Sequence, residues 1–182
     1  IPEIIESIHE LGHDIGYHYE CLSDFKGNII KAMKDFEKNL RMFRTICEVK
    51  TISMHGSPLS KFDNREMWRL ENNYKLLKHD FNLLGEIYLD VDYKDIAYIS
   101  DTGRNWNTNK YNIRDKVNSH IDINIKSGKE LVIQLTKNNY NKVVFQIHPE
   151  RWTNNKVKWT YQFLTDYCAN TIKGIVNWKR KF

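Results

Sequence analysis

The first 54 residues alternate between amphipathic helices and short apolar strands, and this order constrains the fold more than any other feature of the sequence. The first predicted helix ends at Gly12, because glycine readily adopts the left-handed conformation that terminates helices. Three further elements follow: a strand over 13–20, a long amphipathic helix over 27–48 and a strand over 49–54. Helices and strands that alternate so closely are typical of parallel β/α units.

The rest of the chain continues the alternation with weaker signals. The predicted elements are a short helix around Trp68, strands over 86–91 and 96–99, a helix over 128–135, a strand over 142–147 and a helix over 159–178. On the last helix we expect four apolar side chains to face inward, those of Phe163, Tyr167, Ile172 and Ile175. The asparagine-rich segment 105–112 is predicted to be a surface loop.

The composition predicts one folded domain over residues 1–182. The chain has 41% hydrophobic and 28% charged residues, which is ordinary for a globular protein. No apolar run approaches the roughly 20 residues that cross a bilayer, so we expect no membrane span. The net charge of +5 permits an acidic partner, but the basic residues are scattered among 23 acidic ones, so we expect no nucleic-acid partner.

The N-terminal residues and the cysteines indicate the cellular compartment. The chain starts at Ile1, directly on an amphipathic helix and without a signal peptide, which suggests a piece of a longer protein. Cys21, Cys47 and Cys168 are odd in number and form no C-x-x-C pair. We therefore expect free thiols and a cytoplasmic location. The sequence carries no signal for an oligomeric state.

Three short apolar runs each end on a histidine. His18 is followed by Tyr-Glu, His55 by Gly-Ser-Pro and His148 by Pro. In parallel α/β folds, functional side chains collect where strands give way to loops at their carboxyl ends. Imidazole is both a proton shuttle near neutral pH and the commonest metal ligand, so the pattern predicts hydrolytic or metal chemistry. Strand alternation also places Glu20 on the same face as His18.

The segments around these histidines resemble motifs of a known family. Residues 12–18, Gly-His-Asp-Ile-Gly-Tyr-His, look like the second motif of the polysaccharide deacetylase superfamily, in which His18 takes the place of the first metal-binding histidine. Residues 145–148, Phe-Gln-Ile-His, resemble the last motif, whose histidine acts as a general acid. With segments 54–58, 101–106 and 148–152, the whole chain resembles a divergent bacterial member of that superfamily.

The resemblance implies a fold and an activity. The expected fold is a distorted (β/α) barrel of the polysaccharide deacetylase type, incomplete at its N-terminus in this chain. The expected activity is metal-dependent removal of an N-acyl group from an amino sugar or a surface-polysaccharide precursor, by hydrolysis of a C–N bond. The expected cofactor is a divalent metal, with zinc as the first choice, and the expected partner is a carbohydrate substrate.

The chain departs from the family pattern at the metal site. The superfamily supplies two histidines from an H-x-x-x-H motif, whereas Leu22 stands four residues after His18 and cannot bind a metal. Glu20 and His55 are the candidates to replace it, since carboxylate oxygen and imidazole nitrogen both suit a zinc-like ion. The predicted metal set is therefore His18, His55 and Glu20. The family's aspartate pair would belong upstream of Ile1.

The resemblance also suggests catalytic residues. His148 takes the place of the general acid that protonates the leaving amine, and Asp101 can orient it by holding the second ring nitrogen. Arg104 completes the predicted catalytic set, as a group that binds an anion or stabilises the oxyanion.

The predicted substrate-binding residues are Trp106, Arg151 and Trp152. The two indoles suit stacking on a sugar ring, although they can equally close the core. Arg151, like Arg104, can bind an anionic group of the sugar or stabilise the oxyanion. A second hypothesis is a non-catalytic carbohydrate-binding relative that has lost the metal site. The absent H-x-x-x-H partner favours this alternative, whereas the three strand-end histidines favour the enzyme.

Overall fold

The structure is a computed structural model that describes residues 2–58, 60–104, 106, 112–137 and 139–179. The chain divides into two compact units, Ile1–Val91 and Asp92–Phe182. The expectation of one domain over 1–182 stays a prediction. Most of the predicted loop over 105–112 lies outside the described residues.

The first unit follows the predicted β/α order. Its elements are the helices and strands α1 (Pro2–Glu10), β1 (Ile15–Tyr19), α2 (Cys21–Asp24), α3 (Ile29–Phe43), β2 (Val49–Met54), α4 (Glu66–Arg69), α5 (Glu71–His79), β3 (Gly85–Glu86) and α6 (Ile87–Asp90). Gly12 follows α1 with a φ of 86°, as the prediction of a glycine stop requires. Asn28 begins α3, because its side chain accepts a hydrogen bond from the backbone N–H of Lys31 at 3.0 Å.

The strands of the first unit form a parallel sheet in the order β1-β2-β3. The register pairs His18 with Ser53 and Tyr19 with Met54, so β1 and β2 end level with each other. The backbone N–H of His55 continues this ladder by donating to the carbonyl of Tyr19 at 2.8 Å. The loops after both strands therefore begin at one edge of the sheet.

One face of this sheet packs on aromatic side chains. Tyr17 and Tyr19 alternate into the core, where their rings lie 5.2 and 5.7 Å from the ring of Phe36 on α3. The Phe36 ring in turn lies 4.9 Å from Trp68 on α4. Because side chains alternate along a strand, His18 lies on the opposite face and is exposed.

The second unit also contains parallel strands. Its elements are β4 (Ala97–Ser100), a 3-10 turn (Thr102–Arg104), α7 (Gly128–Thr136), β5 (Val143–Gln146), a second 3-10 turn (Pro149–Arg151) and α8 (Lys156–Lys179). Strands β4 and β5 pair in parallel, with Ser100 opposite Gln146. Asp101 and His148 follow the two strand ends at the same edge.

The prediction of a distorted (β/α) barrel is wrong. The strands of the described residues form one three-stranded and one two-stranded parallel sheet and no closed barrel. Closure requires each strand to pair along both sides, but β3 pairs with β2 through only two residues. Glu86 ends β3, because its side chain accepts from the backbone N–H of Tyr88 at 2.8 Å and starts α6. The strand predicted over 86–91 is accordingly helical from Ile87 to Asp90.

The prediction for the C-terminal helix is confirmed in position and wrong in orientation. Helix α8, Lys156–Lys179, covers the whole of the predicted 159–178. The four side chains expected to face inward are exposed, at 40% for Phe163, 66% for Tyr167, 48% for Ile172 and 53% for Ile175. Apolar residues lie on several sides of α8, so the periodicity selects no single buried face.

Two predictions from the sequence, free cysteines and no membrane span, can be compared with the structure. Cys21, Cys47 and Cys168 are all free cysteines, and the first two are buried. Among the described residues, no helix is long and apolar enough to cross a membrane.

Candidate functional site

His18 stands near the carboxyl end of β1 with its ring oriented by the neighbouring strand. Its Nδ1 lies 3.1 Å from the backbone carbonyl oxygen of Ser53 on β2. A carbonyl oxygen only accepts hydrogen bonds, so Nδ1 carries a proton, and this fixes the tautomer that the ring has when it is neutral. Nε2 is then the atom with the lone pair, which is the state that a metal-binding imidazole needs.

His55 begins the loop after β2 and is held by Glu20. The Nδ1 atom of His55 lies 2.8 Å from Oε2 of Glu20, which follows β1. A carboxylate also only accepts, so His55 likewise donates through Nδ1. The rings of His18 and His55 lie 5.3 Å apart, centroid to centroid, at 78°. The structure thus brings together all three residues predicted to bind the metal.

Ser57 and Asn64 complete this cluster, and sequence reasoning missed both. The hydroxyl of Ser57 donates to Oε1 of Glu20, and Ser57 adopts an unusual φ of 35°. The side-chain amide of Asn64 is fully buried and donates to the carbonyl of His55 at 2.8 Å and to the Ser57 hydroxyl at 3.3 Å. Its Oδ1 accepts from the backbone N–H of Ser23 at 2.9 Å, so Asn64 fastens the His55 loop to α2.

The grouping of Ser57, His55 and Glu20 is not a catalytic triad. In a triad, the serine and the carboxylate contact opposite nitrogens of the imidazole, so that one activates the other through the ring. Here the Ser57 hydroxyl and the Glu20 carboxylate both approach Nδ1 of His55, at 3.2 and 2.8 Å. Ser57 therefore acts as a hydrogen-bond donor that orients Glu20.

Glu20 is charged in this setting. Burial would raise the pKa of its carboxyl, but the hydrogen bonds from Ser57 and His55, and the nearby imidazole charges, outweigh burial and lower the pKa below its ordinary value. Both carboxylate oxygens are engaged by these donors. Glu20 therefore fits the part of an acceptor that fixes His55 better than that of a direct metal ligand.

A cavity of about 440 Å³ lies beside His18 on the exposed face of the sheet. It is lined mainly by strand residues and by the segment from Leu84 to Val91. Gly16 contributes to its floor, and a side chain there would press within 3.1 Å of the Thr51 hydroxyl. The absence of a side chain on Gly16 keeps the approach to His18 open.

The second unit contains a different polar cluster, built on Asp101 and His148. The ring Nδ1 of His148 donates to Oδ1 of Asp101, and the backbone N–H of His148 donates to Oδ2 at 3.0 Å. Burial would raise the pKa of Asp101, yet these bonds from His148 outweigh burial and lower it. The ionised Asp101 fixes the tautomer of His148 and leaves Nε2 as the atom that exchanges a proton.

The two predicted arginines take different positions around this pair. Arg151 donates from Nη1 to the carbonyl of Asp101 at 2.8 Å, so it supports the loop after β4. Arg104 turns away and pairs through Nε with Asp166 of α8 at 2.8 Å. Its guanidinium lies over the rings of Trp159 and Phe163, 5.3 and 5.6 Å from their centroids. Among the described residues, Arg104 makes no hydrogen bond to His148.

The predicted tryptophans line one cavity of about 240 Å³ together with both arginines. Its walls are Asp101, Arg104, Trp106, Arg151, Trp152 and Trp159. Trp106 rests on Phe145, with ring centroids 5.6 Å apart, whereas Trp152 is 64% exposed. Sequence reasoning missed Trp159, because a single aromatic residue on an amphipathic helix carries no signal of its own.

Comparisons with protein-family models, curated proteins and solved structures found no significant match to this chain. The functional argument therefore depends on the two clusters themselves.

Proposed function

We propose that this chain carries residues of a metal-dependent hydrolase that removes an N-acyl group from an amino sugar, as its resemblance to the polysaccharide deacetylases suggests. The observation that carries the proposal is the pair of His18 and His55. Their rings lie 5.3 Å apart at the carboxyl ends of adjacent parallel strands, and each Nδ1 faces an acceptor. This is the way in which metal-binding histidines are usually oriented.

The donor set fits a divalent metal in part. Two imidazoles with Nε2 as the lone-pair atom are suitable ligands, and Glu20 supplies the outer carboxylate that such histidines commonly contact. No group of three or more histidine, cysteine, aspartate or glutamate side chains in the described part of the chain is arranged to hold a metal. When bound, a divalent metal would polarise the amide carbonyl and lower the pKa of a water molecule from about 15.7 towards 7.

Protonation of the leaving amine would be carried out by a residue of the chain. The amine of an amide leaves only when it is protonated, and a positioned imidazole can supply that proton. His148 suits this task because Asp101 accepts the hydrogen bond from its Nδ1 and so fixes the orientation of the ring. Arg151 holds the Asp101 backbone in place. On the resemblance of residues 145–148 to the family's last motif, we assign proton transfer to His148 and the orientation of its ring to Asp101.

A non-catalytic carbohydrate-binding protein is the second candidate. The cavity lined by Trp106, Trp152 and Trp159 favours it, because indole faces can cover the apolar C–H face of a sugar while its hydroxyls stay in water. This function needs neither a metal nor the proton transfer at His148.

Zinc binding to the chain tests the proposal. We expect about one zinc ion per chain by elemental analysis after dialysis, and a loss of most of it in His18→Ala and in His55→Ala. The matched control is His79→Ala, which removes an exposed histidine of the first unit. Equal zinc content in the parent and both site variants would overturn the metal assignment.

Acetate release separates the two candidate functions. We expect zinc-loaded protein to release acetate from N-acetylglucosamine oligomers, and the His18→Ala variant to release none above background. Binding of the same oligomers without zinc uptake and without acetate release would favour the carbohydrate-binding protein instead.

A further inference from the structure

The cavity beside Asp101 combines aromatic walls with an arginine whose hydrogen bonds are incomplete. The guanidinium of Arg104 pairs through Nε with Asp166, but its Nη2 is buried and has no hydrogen-bond partner among the described residues. A buried donor without a partner destabilises the folded chain, and the effect is larger when the donor is charged. Arg104 also adopts a φ of 55°, which is uncommon for a residue with a side chain. The chain therefore holds this guanidinium in place at a cost.

Nearby contacts fix Arg104 and limit its alternatives. The rings of Trp159 and Phe163 stack on each other at 9°, and Cζ of Arg104 lies 5.3 and 5.6 Å from their centroids. The side chain of Asn170 donates to the carbonyl of Gly103 at 2.9 Å, which anchors the turn that carries Arg104 to α8. Arg104 lines the cavity, and a guanidinium that packs against aromatic rings can bind a carboxylate or a phosphate through its N–H groups.

The acidic side chains nearby are already paired. Asp101 accepts from the ring and the backbone of His148 and from Arg151, and Asp166 accepts from Arg104 Nε. The pKa of Lys173 is lowered by its burial and by the charge of Arg151, although Asp115 and Asp166 oppose this effect. The cavity lining itself holds the two guanidinium groups of Arg104 and Arg151 and the single carboxylate of Asp101, so an anion that enters the cavity would be attracted.

The aromatic walls of the cavity indicate which chemical group can bind beside an anion. Trp152 is 64% exposed and offers free indole surface at the cavity, whereas Arg104 and Phe163 cover part of the Trp159 ring. The volume of about 240 Å³ lies below the roughly 300–1,000 Å³ of sites that enclose drug-sized ligands. A single sugar ring suits this space, with its C–H face against an indole.

We propose that this cavity binds one sugar residue that carries an anionic substituent, a carboxylate or a phosphate, with the anion on Arg104 and the ring against Trp152. The proposal deepens the proposed function by naming the charge class of the sugar, and it rests on that function only in expecting a carbohydrate. It requires neither zinc nor turnover, so binding to the metal-free chain tests it separately.

Isothermal titration with three probes tests the charge class. We expect glucuronate and glucose 6-phosphate to bind at least tenfold more tightly than glucose, and 0.5 M NaCl to reduce this preference because salt screens the ion pair. The relative affinity of the two anionic probes distinguishes a carboxylate source from a phosphate source. Equal affinity for glucose and both anionic sugars would overturn the anion assignment and leave the zinc assignment untouched.

Variants locate the binding in this cavity. Arg104→Gln should abolish the preference for the anionic probes, and Arg104→Lys should keep part of it, which covers the case in which the glutamine variant does not fold. Trp152→Ala should weaken all three probes, whereas the control Tyr161→Ala, which removes a 72% exposed aromatic residue of α8, should not. Unchanged affinities in the lysine variant and in Trp152→Ala would show that the sugars bind elsewhere and would refute the proposal.

Discussion

Oε2 of Glu20 lies 2.8 Å from Nδ1 of His55, and the hydroxyl of Ser57 donates to the other oxygen of the same carboxylate. The pair joins the residue after β1 to the residue after β2, so a side-chain contact adds to the backbone ladder that holds the two strand ends together. The cluster thereby orients His55 while His18 is oriented independently by the carbonyl of Ser53. Each imidazole has its own outer acceptor.

The first prediction concerns Glu20, the acceptor that contacts His55. Glu20→Gln should weaken zinc binding by about 10- to 100-fold, the usual effect of removing a carboxylate behind a metal-binding histidine. The amide retains the size of the side chain but loses the charge that stabilises the Nδ1 proton of His55. Competition with a zinc chelator measures the affinity, with Glu71→Gln on the exposed surface of α5 as the control. Complete loss of zinc would instead identify Glu20 as a direct ligand.

The second prediction concerns His148. His148→Asn should lower the rate of acetate release by about 10²- to 10⁴-fold, the usual contribution of a positioned proton donor or acceptor, with zinc content unchanged. Asparagine keeps a polar group near Asp101 but cannot carry the proton. The control is His120→Asn, which alters an exposed histidine of the same unit. Full activity in the His148 variant would remove this residue from the mechanism.

Local periodicity was sufficient to predict the elements that carry the first cluster. The helix α3 and the strands β1 and β2 have clear helical or alternating patterns, and the histidines mark where the two strands end. The contact between Asp101 and His148 was also expected, from the resemblance at His148 and the orienting role assigned to Asp101, and the parallel pairing of β4 and β5 brings the two residues together. In each case the sequence pattern that predicts the feature lies within a few residues of it.

Features that depend on distant contacts could not be predicted in this way. Barrel closure requires pairing between strands far apart in sequence, and Glu86 ends β3 through its own hydrogen bonds, which no periodicity records. Asn64 is fully buried through contacts with Ser23, His55 and Ser57, although asparagine in a polar segment resembles an ordinary loop residue. Buried polar residues acquire their role only when the partners are known.

The third prediction is a pH dependence of stability caused by Glu86. This residue is fully buried, and burial raises the pKa of its carboxyl from 4.5 to about 7, although the N–H groups of Met54 and Tyr88 oppose the shift. Between these two values the folded chain binds a proton that the unfolded chain has released, so stability falls as pH rises. The full effect is on the order of 3 kcal/mol.

Glu86→Gln should remove this part of the pH dependence. The variant loses one accepted hydrogen bond, which lowers its stability at pH 4.5, but the difference from the parent should shrink or reverse by pH 7. Urea denaturation at several pH values measures both curves, with Glu71→Gln as the exposed control. Parallel curves for parent and variant would show that Glu86 is ionised throughout the range.

The fourth prediction concerns Gly27, which precedes α3 with a φ of 86°. An alanine there would have to adopt a left-handed conformation, and its Cβ would overlap the ring of Phe62. We expect Gly27→Ala to lower the free energy of unfolding by about 2–4 kcal/mol, because both the backbone strain and the steric overlap must be relieved. The start of α3 and the packing of Phe62 on the core would be disturbed together.

The matched control for this change is Gly174→Ala on α8, where a Cβ would meet no atom within 4 Å. That substitution should raise the free energy of unfolding by up to about 1 kcal/mol, since alanine favours a helix interior over glycine. Urea denaturation of the two variants measures changes of opposite sign for the same chemical substitution. A Gly27→Ala variant as stable as the parent would mean that the turn before α3 adopts another conformation in solution, with Phe62 away from Gly27.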